Sequence, residues 1–338
     1  MPNETLKIVI PMAGYGKRLR PHTWSKPKPL VSVAGKTVLG HVLDLVAGFA
    51  EPENTEIVFI VGYQGEQVRP YMEEKYPAIK AHYFVQEEMK GQSHAIAIAR
   101  EYLNGPTLVL FVDTIIDTDF SFLKEETAGG VIWVKEVEDP RRFGVVKVGQ
   151  DGFVESLIEK PDSMENNLAI VGNYYFARGE DLLAAIDHQI ETNLQSKGEF
   201  YLADAIAIMI QRGLSLRPKI ADVWLDAGLP ETVLDTNRYL LDNGRDNTGT
   251  LASLDGVELI APVFVDPSAV VRDSVIGPHV SVGAGCEVTG SKISDSVLEP
   301  QAKVHNAEIW RSLVGQRAQI EGVRGIINIG DDAEVKSK

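Results

Sequence analysis

The sequence predicts an α/β fold in two parts: a layered domain of strands and helices over residues 1–245, then a coil of short parallel strands over 246–338. Three observations carry that expectation. Unbroken aliphatic runs at 8–10, 57–61 and 108–112 alternate with helix-period segments, the pattern of a sheet covered on both faces. Beyond residue 250 the period changes, and large aliphatic residues recur five or six apart at Val265, Val271, Ile276, Val282, Val288, Ile293, Leu298, Val304, Ile309, Val314 and Ile320. Two positions before most of them stands a small side chain, as at Ser274, Cys286, Ser291, Ala302, Ser312 and Ala318. Neither a helix nor a two-faced strand has this spacing. A prism-shaped coil does, with one inward aliphatic residue per short face and about sixteen to eighteen residues per turn.

A chain of 338 residues is too long for one ordinary core, and 44% hydrophobic with 24% charged residues is the balance of a globular protein. The single cysteine, Cys286, excludes an internal disulfide framework and supplies no metal-ligand spacing. No apolar run is long enough to cross a bilayer, and Met1-Pro2-Asn3-Glu4-Thr5 lacks the basic start and apolar core of a signal peptide, so a cytoplasmic location is expected. A formal charge of −15 disfavours unspecific binding to nucleic acid. It leaves room for a phosphate ligand, because charges are screened beyond about 8–10 Å and a local cation cluster outweighs distant carboxylates.

Such a cluster follows the first strand. Pro11 ends the run, and Gly14 and Gly16 let the backbone turn and come close to a ligand. Between Thr5 and Leu43 stand Lys7, Lys17, Arg18, Arg20, Lys26, Lys28 and Lys36 with no acid among them, so an anion is expected here. Arg18 suits a bidentate grasp of phosphate oxygens and Lys28 a movable point charge, while Pro21, Pro27 and Pro29 stiffen the loop. Two familiar phosphate motifs are excluded. A dinucleotide fingerprint would need glycine at Leu19, and the P-loop ending in Gly35-Lys36-Thr37 would need glycine at Leu30.

Segment 37–48 has apolar residues at helical spacing, with Thr37 as N-cap and Gly48 as stop, and strand 57–61 completes a β-α-β unit. Strand 81–85 leads to Gln86 and on to Gly91 and His94, where an alanine-rich helix begins; His94 reads as a helix-start residue. Strand 108–112 runs into Asp113, a carboxylate where open α/β sheets bind ligands. Shorter β segments follow to 176, then helices at 179–192, 201–212 and 230–241, and 242–250 reads as a linker.

The run G-x-G-x-R-L-x-P followed by S-K-P-K-P-L resembles the signature loop of the sugar-1-phosphate nucleotidylyltransferases, which make NDP-sugars and pyrophosphate. Phe143-Gly144-Val145-Val146, Ile158-Glu159-Lys160-Pro161 and Trp224-Leu225-Asp226-Ala227-Gly228 are similar to further segments of that family. The C-terminal repeat resembles the hexapeptide-repeat left-handed β-helix of its long-form members. The resemblance implies a Rossmann-like nucleotidyltransferase domain with a mixed sheet, followed by a left-handed parallel β-helix. It implies that Ala13, Gly14, Gly16, Lys17, Gln86 and Gly91 bind the nucleotide, with Gln86 and Gly91 reading the base. Gly144, Glu159, Lys160 and Gly172 would surround the sugar, and Arg18, Lys28, Asp113, Lys160 and Asp226 would carry the chemistry, with Asp113 and Asp226 holding Mg²⁺. Val112-Asp113-Thr114 departs from the family's Gly-Asp-Asn, which bears on base or sugar preference.

Nucleoside triphosphate and sugar 1-phosphate are thus the implied partners, with glucose 1-phosphate and dTTP or UTP foremost and mannose 1-phosphate with GTP second. The open ends of a coil stack imply capping or a homo-oligomer. Two readings from other classes are a β-helix acyltransferase using His279 or His305 as base, and a catalytically silent subunit that binds an NDP-sugar.

Overall fold

The computed structural model describes residues 4–251 and 256–337. Residues 1–3, part of the opening stretch read for a signal peptide, lie outside them. No helix among the described residues is long and apolar enough to cross a membrane. The chain packs as two compact units, Met1–Gly14 with Val42–Trp224, and Tyr15–His41 with Leu225–Lys338.

The first unit is built on a nine-stranded mixed sheet. Its strands and helices in chain order are β1 (Leu6–Pro11), the part of α1 (Val38–Ala47) from Val42 on, β2 (Thr55–Val61), α2 (Val68–Lys75), β3 (Lys80–Val85), α3 (Gln92–Ile98) and β4 (Thr107–Leu110). They continue as β5 (Gly130–Glu136), β6 (Gly144–Val148), β7 (Val154–Glu159), β8 (Leu168–Phe176), α4 (Gly179–Glu191), α5 (Leu202–Gln211) and β9 (Leu216–Ile220). The order is β7-β6-β8-β4-β1-β2-β3, with β5 joining β8 and β9. Strands β4, β1, β2 and β3 are parallel, the Rossmann-like half that the resemblance implies, and the aliphatic runs fall on β1, β2 and β4. Antiparallel β8 makes the sheet mixed, pairing β4 through 173–176 and β6 through 168–169. At the change of neighbour β8 shifts register against β5, and Gly172 sits in the irregularity with φ of 98°. Val9, Val58, Val109, Ile132 and Phe176 cover one face of the sheet, packed under Ile96, Leu182, Ile186, Leu202 and Ile206 of α3 to α5.

Thr37 caps α1 as its position predicts, its Oγ1 accepting from Gly40 N–H at 2.9 Å. Strand β4 ends at Leu110, two residues earlier than the aliphatic run suggests, because Phe111 N–H turns to the Gly172 carbonyl.

In the second unit, α6 (Pro230–Leu240) precedes a left-handed parallel β-helix made of three five-stranded parallel sheets. Along one face Glu258, Val275, Lys292, Glu308 and Arg324 stack at steps of 17, 17, 16 and 16 residues. The aliphatic residues form inward ladders such as Val265–Val282–Leu298–Val314 and Val271–Val288–Val304–Ile320, all buried. The small residues turn out to be bonded as well as compact. Ser274 Oγ accepts from Ser291 N–H and Ser291 Oγ from Ala307 N–H, both at 3.1 Å, while Ser296 Oγ accepts from Ser312 N–H at 3.0 Å. Each corner hydroxyl therefore satisfies a backbone donor in the next coil. Cys286 occupies one of these corners fully buried, and burial pushes its thiol up to about 11, in keeping with a core role.

The segment read as a linker is instead bonded to the first coil. Asn247 N–H donates to the Val263 carbonyl, Asn247 Nδ2 to that of Val265 at 2.9 Å, and Asp246 Oδ1 accepts from Val263 N–H at 3.0 Å. Asp and Asn side chains that bond nearby backbone can stand in for a strand, which composition alone does not separate from a flexible tether.

Candidate active site

The candidate residues fall into groups that each unit holds by itself. In the first, Ala13 backbone lies against Gly62, where a Cβ would come within 2.5 Å of the Ala13 oxygen. Among the described residues, apart from its chain neighbours, nothing lies within 4 Å of a Cβ placed on Gly14.

Beyond β3, Gln86 is buried and its Nε2 donates to the Gly91 carbonyl at 3.2 Å. The same nitrogen lies 3.2 Å from His94 Nδ1. A carbonyl can only accept, so it selects the amide nitrogen, and His94 must then accept at Nδ1 and carry its proton on Nε2. Both amide hydrogens are thereby used, and Oε1 is the atom that Gln86 can turn to a ligand. Burial, with help from Lys90, lowers the pKa of His94, which favours this neutral form. Gly91 is required as glycine, having φ of 108° and leaving a Cβ only 2.6 Å from the Phe200 oxygen. His94, read from sequence as a helix-start residue, is thus a neighbour of a predicted base reader; only the fold shows it.

Asp113 is half-buried past the end of β4. Tyr174 on β8 is held well above the usual phenol range, by burial first and then by the negative charges of Glu159 and Asp113. Glu159 ends β7 directly opposite Gly144, and a Cβ on Gly144 would stand 3.0 Å from Glu159 Oε2. The room that Gly144 provides is room for this carboxylate. Lys160 lies 3.8 Å from Glu159 and is exposed. Beside it is Lys197, whose pKa is lowered by the close approach and repulsion of Lys160. Two exposed ammonium groups side by side call for an anion. Lys197 was not singled out from sequence, because no motif or strand end marks it.

The second unit holds the basic loop. Gly16 has φ of 60°, and a Cβ there would lie 3.0 Å from Thr23 Cγ2 and 3.3 Å from Lys28 Cβ. Thr23 Oγ1 donates to the Gly16 carbonyl at 2.8 Å, closing the loop on itself. Lys17 and Arg18 are exposed and Lys28 half-buried. The Arg18 guanidinium lies 3.2 Å from the Cβ position of Gly228, next to Asp226, whose Oδ1 accepts from Gly228 N–H at 2.8 Å. Arg18, Asp226 and Gly228 therefore meet, and Lys28 packs on the Gly16 turn. Two of the seven basic residues read as an anion cluster are committed to the protein instead. Lys7 is buried 3.5 Å from Glu56, and Lys26 is buried against Glu299 and Asp331. His279, the conceivable acyltransfer base, is paired with Asp242 at 2.9 Å.

No group of three or more His, Cys, Asp or Glu residues able to hold a metal occurs among the described residues. Asp113 in the first unit and Asp226 in the second each offer hard carboxylate oxygens, the donor type that Mg²⁺ takes together with phosphate and water.

A Rossmann-like mixed sheet, a glycine loop bearing cations and an amide at a strand end are in keeping with the nucleotidyltransferase class. A model of that family, described as nucleotidyl transferase, matches residues 7–243. The chain belongs to the nucleotidyl transferase family. It is similar to the bifunctional protein GlmU of Methanococcus vannielii, 30% identical over 336 residues, 92% of this chain and 78% of that one. The low-salt glycan biosynthesis nucleotidyltransferase Agl11 of Haloferax volcanii is 30% identical, covering 98% of this chain and 100% of its own. A glucose-1-phosphate thymidylyltransferase of Streptomyces antibioticus is 29% identical, with 93% of both chains covered. Among solved structures, a UDP-glucose pyrophosphorylase complexed with UDP-glucose shares the fold, with a TM-score of 0.60 at 20% identity over 70% of this chain and 99% of its own.

Proposed function

We propose that the protein is a Mg²⁺-dependent sugar-1-phosphate nucleotidylyltransferase that joins glucose 1-phosphate to dTTP or UTP, with residues 1–245 as the catalytic part and 246–338 as the β-helix. The observation that carries the reading is the basic loop, in which an exposed Arg18 stands beside Asp226 and Lys28 packs on the Gly16 turn.

In the reaction a phosphate oxygen of the sugar 1-phosphate attacks the α-phosphorus of the nucleoside triphosphate in line. A new O–P bond forms, the bond from that phosphorus to the bridging oxygen of the β-phosphate breaks, and its electron pair leaves with pyrophosphate. Such chemistry rests on positioning and charge neutralisation and needs no covalent nucleophile. Arg18 holds the β- and γ-phosphates, and Lys28 neutralises the α-phosphate. Lys160 and Lys197 grip the sugar phosphate, and Glu159 accepts from sugar hydroxyls. Asp113 and Asp226 would hold Mg²⁺, which when bound supplies further neutralisation of the triphosphate. Ala13, Gly14, Gly16 and Lys17 line the nucleotide, and Gly172 leaves room near the sugar.

Gln86 supports the choice of base. An amide with both hydrogens engaged presents an acceptor, which suits the N3–H of thymine or uracil and not the bare N3 of cytosine. Guanine also presents a ring N–H, so GTP with mannose 1-phosphate is the competing pair. Pyrophosphate release across four nucleoside triphosphates and several sugar 1-phosphates, with and without Mg²⁺, tests the reading. Release should be fastest with glucose 1-phosphate and dTTP or UTP and should stop on chelation. Preference for the guanosine pair would change the substrates; no release from any pair, with Mg²⁺ present, would end the proposal.

A further inference from the structure

In the coil position that follows the Val282–Leu298–Val314–Ile329 ladder stand Gly283, Glu299, Gly315 and Gly330. Three are glycines for want of space: a Cβ would come within 2.8 Å of the Leu298 oxygen at Gly283, within 2.3 Å of Gly330 at Gly315, and within 3.0 Å of Pro21 at Gly330. The fourth, Glu299, is a carboxylate with 1% of its side chain exposed. Burial holds it above the ordinary carboxylate range against the pull of Lys26.

The partner of Glu299 comes from the basic loop. Lys26 Nζ donates to Glu299 Oε2 and lies 3.1 Å from Asp331 Oδ1, itself buried. Ser32 N–H reaches Glu299 Oε1 at 3.4 Å, Ser25 donates to Asp331 Oδ2 at 2.5 Å, and His22 Nε2 meets Asn328 Oδ1 at 2.6 Å. Anchors thus fall on both sides of Lys28, from His22 to Ser32. A buried ion pair gives little net stability compared with apolar side chains of similar volume, since desolvation offsets attraction. What it does supply is one permitted position, because the charges leave no acceptable alternative.

We infer that Glu299 and Asp331 of the β-helix are positioning residues for nucleotidyl transfer, acting through Lys26 to hold Arg18 and Lys28 where the triphosphate binds. This rests on the reading of Arg18 and Lys28 as phosphate ligands. The β-helix then sets the geometry of the catalytic loop from within the same chain, besides any part it has in assembly.

The test compares Glu299→Gln, the double variant Lys26→Met/Glu299→Leu, and Lys28→Ala in the full-length protein, by melting temperature and by steady-state kinetics with dTTP, UTP and glucose 1-phosphate. Glu299→Gln should lower kcat/KM for the nucleotide at least tenfold, while KM for the sugar 1-phosphate changes less than twofold. The double variant should keep the kinetic defect whatever its melting temperature, because an apolar pair fills the space without fixing the loop and leaves Asp331 bonded, among the described residues, only to Ser25 and Gln316 N–H. A double variant within twofold of the parent kcat/KM, while Lys28→Ala is inactive, would overturn the positioning role alone. Near-normal turnover by Lys28→Ala would overturn the phosphate reading and this inference with it.

Discussion

Lys26 and Lys28 are two residues apart in one proline-rich loop, and the fold gives them opposite uses. Lys26 is buried against carboxylates, the nearer of them 273 positions away in sequence, and Lys28 is half-buried on the Gly16 turn. Lys28→Ala should therefore leave the fold intact and lower kcat about 10²–10³-fold, by analogy with the roughly 2.7–4 kcal/mol lost with one preorganised donor. Stopped-time pyrophosphate assays beside a melting curve check it. Lys197 allows a sharper split. Lys197→Ala should raise KM for the sugar 1-phosphate roughly tenfold with a smaller change for the nucleotide, and Lys197→Arg should recover most of the loss. Equal effects on both substrates would mean that Lys197 and Lys160 do not share the sugar phosphate.

At the scale of elements, each coil of the β-helix is joined to the next by inward aliphatic ladders and by corner hydroxyls, and the two contribute differently. Ser291→Ala removes the acceptor for Ala307 N–H and should cost about 1–3 kcal/mol, the penalty for a buried donor left unpaired. Ile293→Ala, in the ladder between Ile276 and Ile309, should cost about 2–5 kcal/mol through lost burial and the cavity left behind. Urea unfolding of both variants separates them; a harmless Ser291→Ala would show that small size alone, and not the hydroxyl, is what the corner needs. In the sheet, Gly172 marks where β8 changes neighbour from β6 to β4, and that irregularity brings its carbonyl to Phe111 N–H just before Asp113.

For the molecule as a whole, the loop anchors predict a response to mild acid. Burial lowers the pKa of His22 from its ordinary 6.5, with the charge of Lys26 acting in the same direction and Asn328 and Asp331 opposing. Its Nδ1 has no hydrogen-bond partner among the described residues, as suits a neutral ring. A lowered pKa means that the unfolded chain takes up a proton which the folded chain refuses. The contribution of His22 is accordingly complete above pH 6.5 and is lost as pH falls below that value through the folded-state pKa, at no more than about 1.4 kcal/mol per pH unit. The melting temperature should fall over that window, and His22→Gln should flatten the slope. An unchanged slope would place the responsible group elsewhere.

Much of this protein is readable without coordinates. Aliphatic runs of strand length, a glycine-bearing basic loop and the five-to-six spacing after residue 250 specify sheet, loop and coil, because each reports a local repeat of backbone geometry. Asp113, Glu159, Lys160 and Asp226 stand out by their place after strands or in motifs. Tertiary structure alone decided which charges are consumed internally. Glu299 claims Lys26, Glu56 claims Lys7, Gly91 and His94 turn the amide of Gln86, and Lys197 comes to rest beside Lys160. Composition counts a charge without saying what it faces, and the free energy of a buried charge depends on the partner that folding brings to it, which no local pattern records.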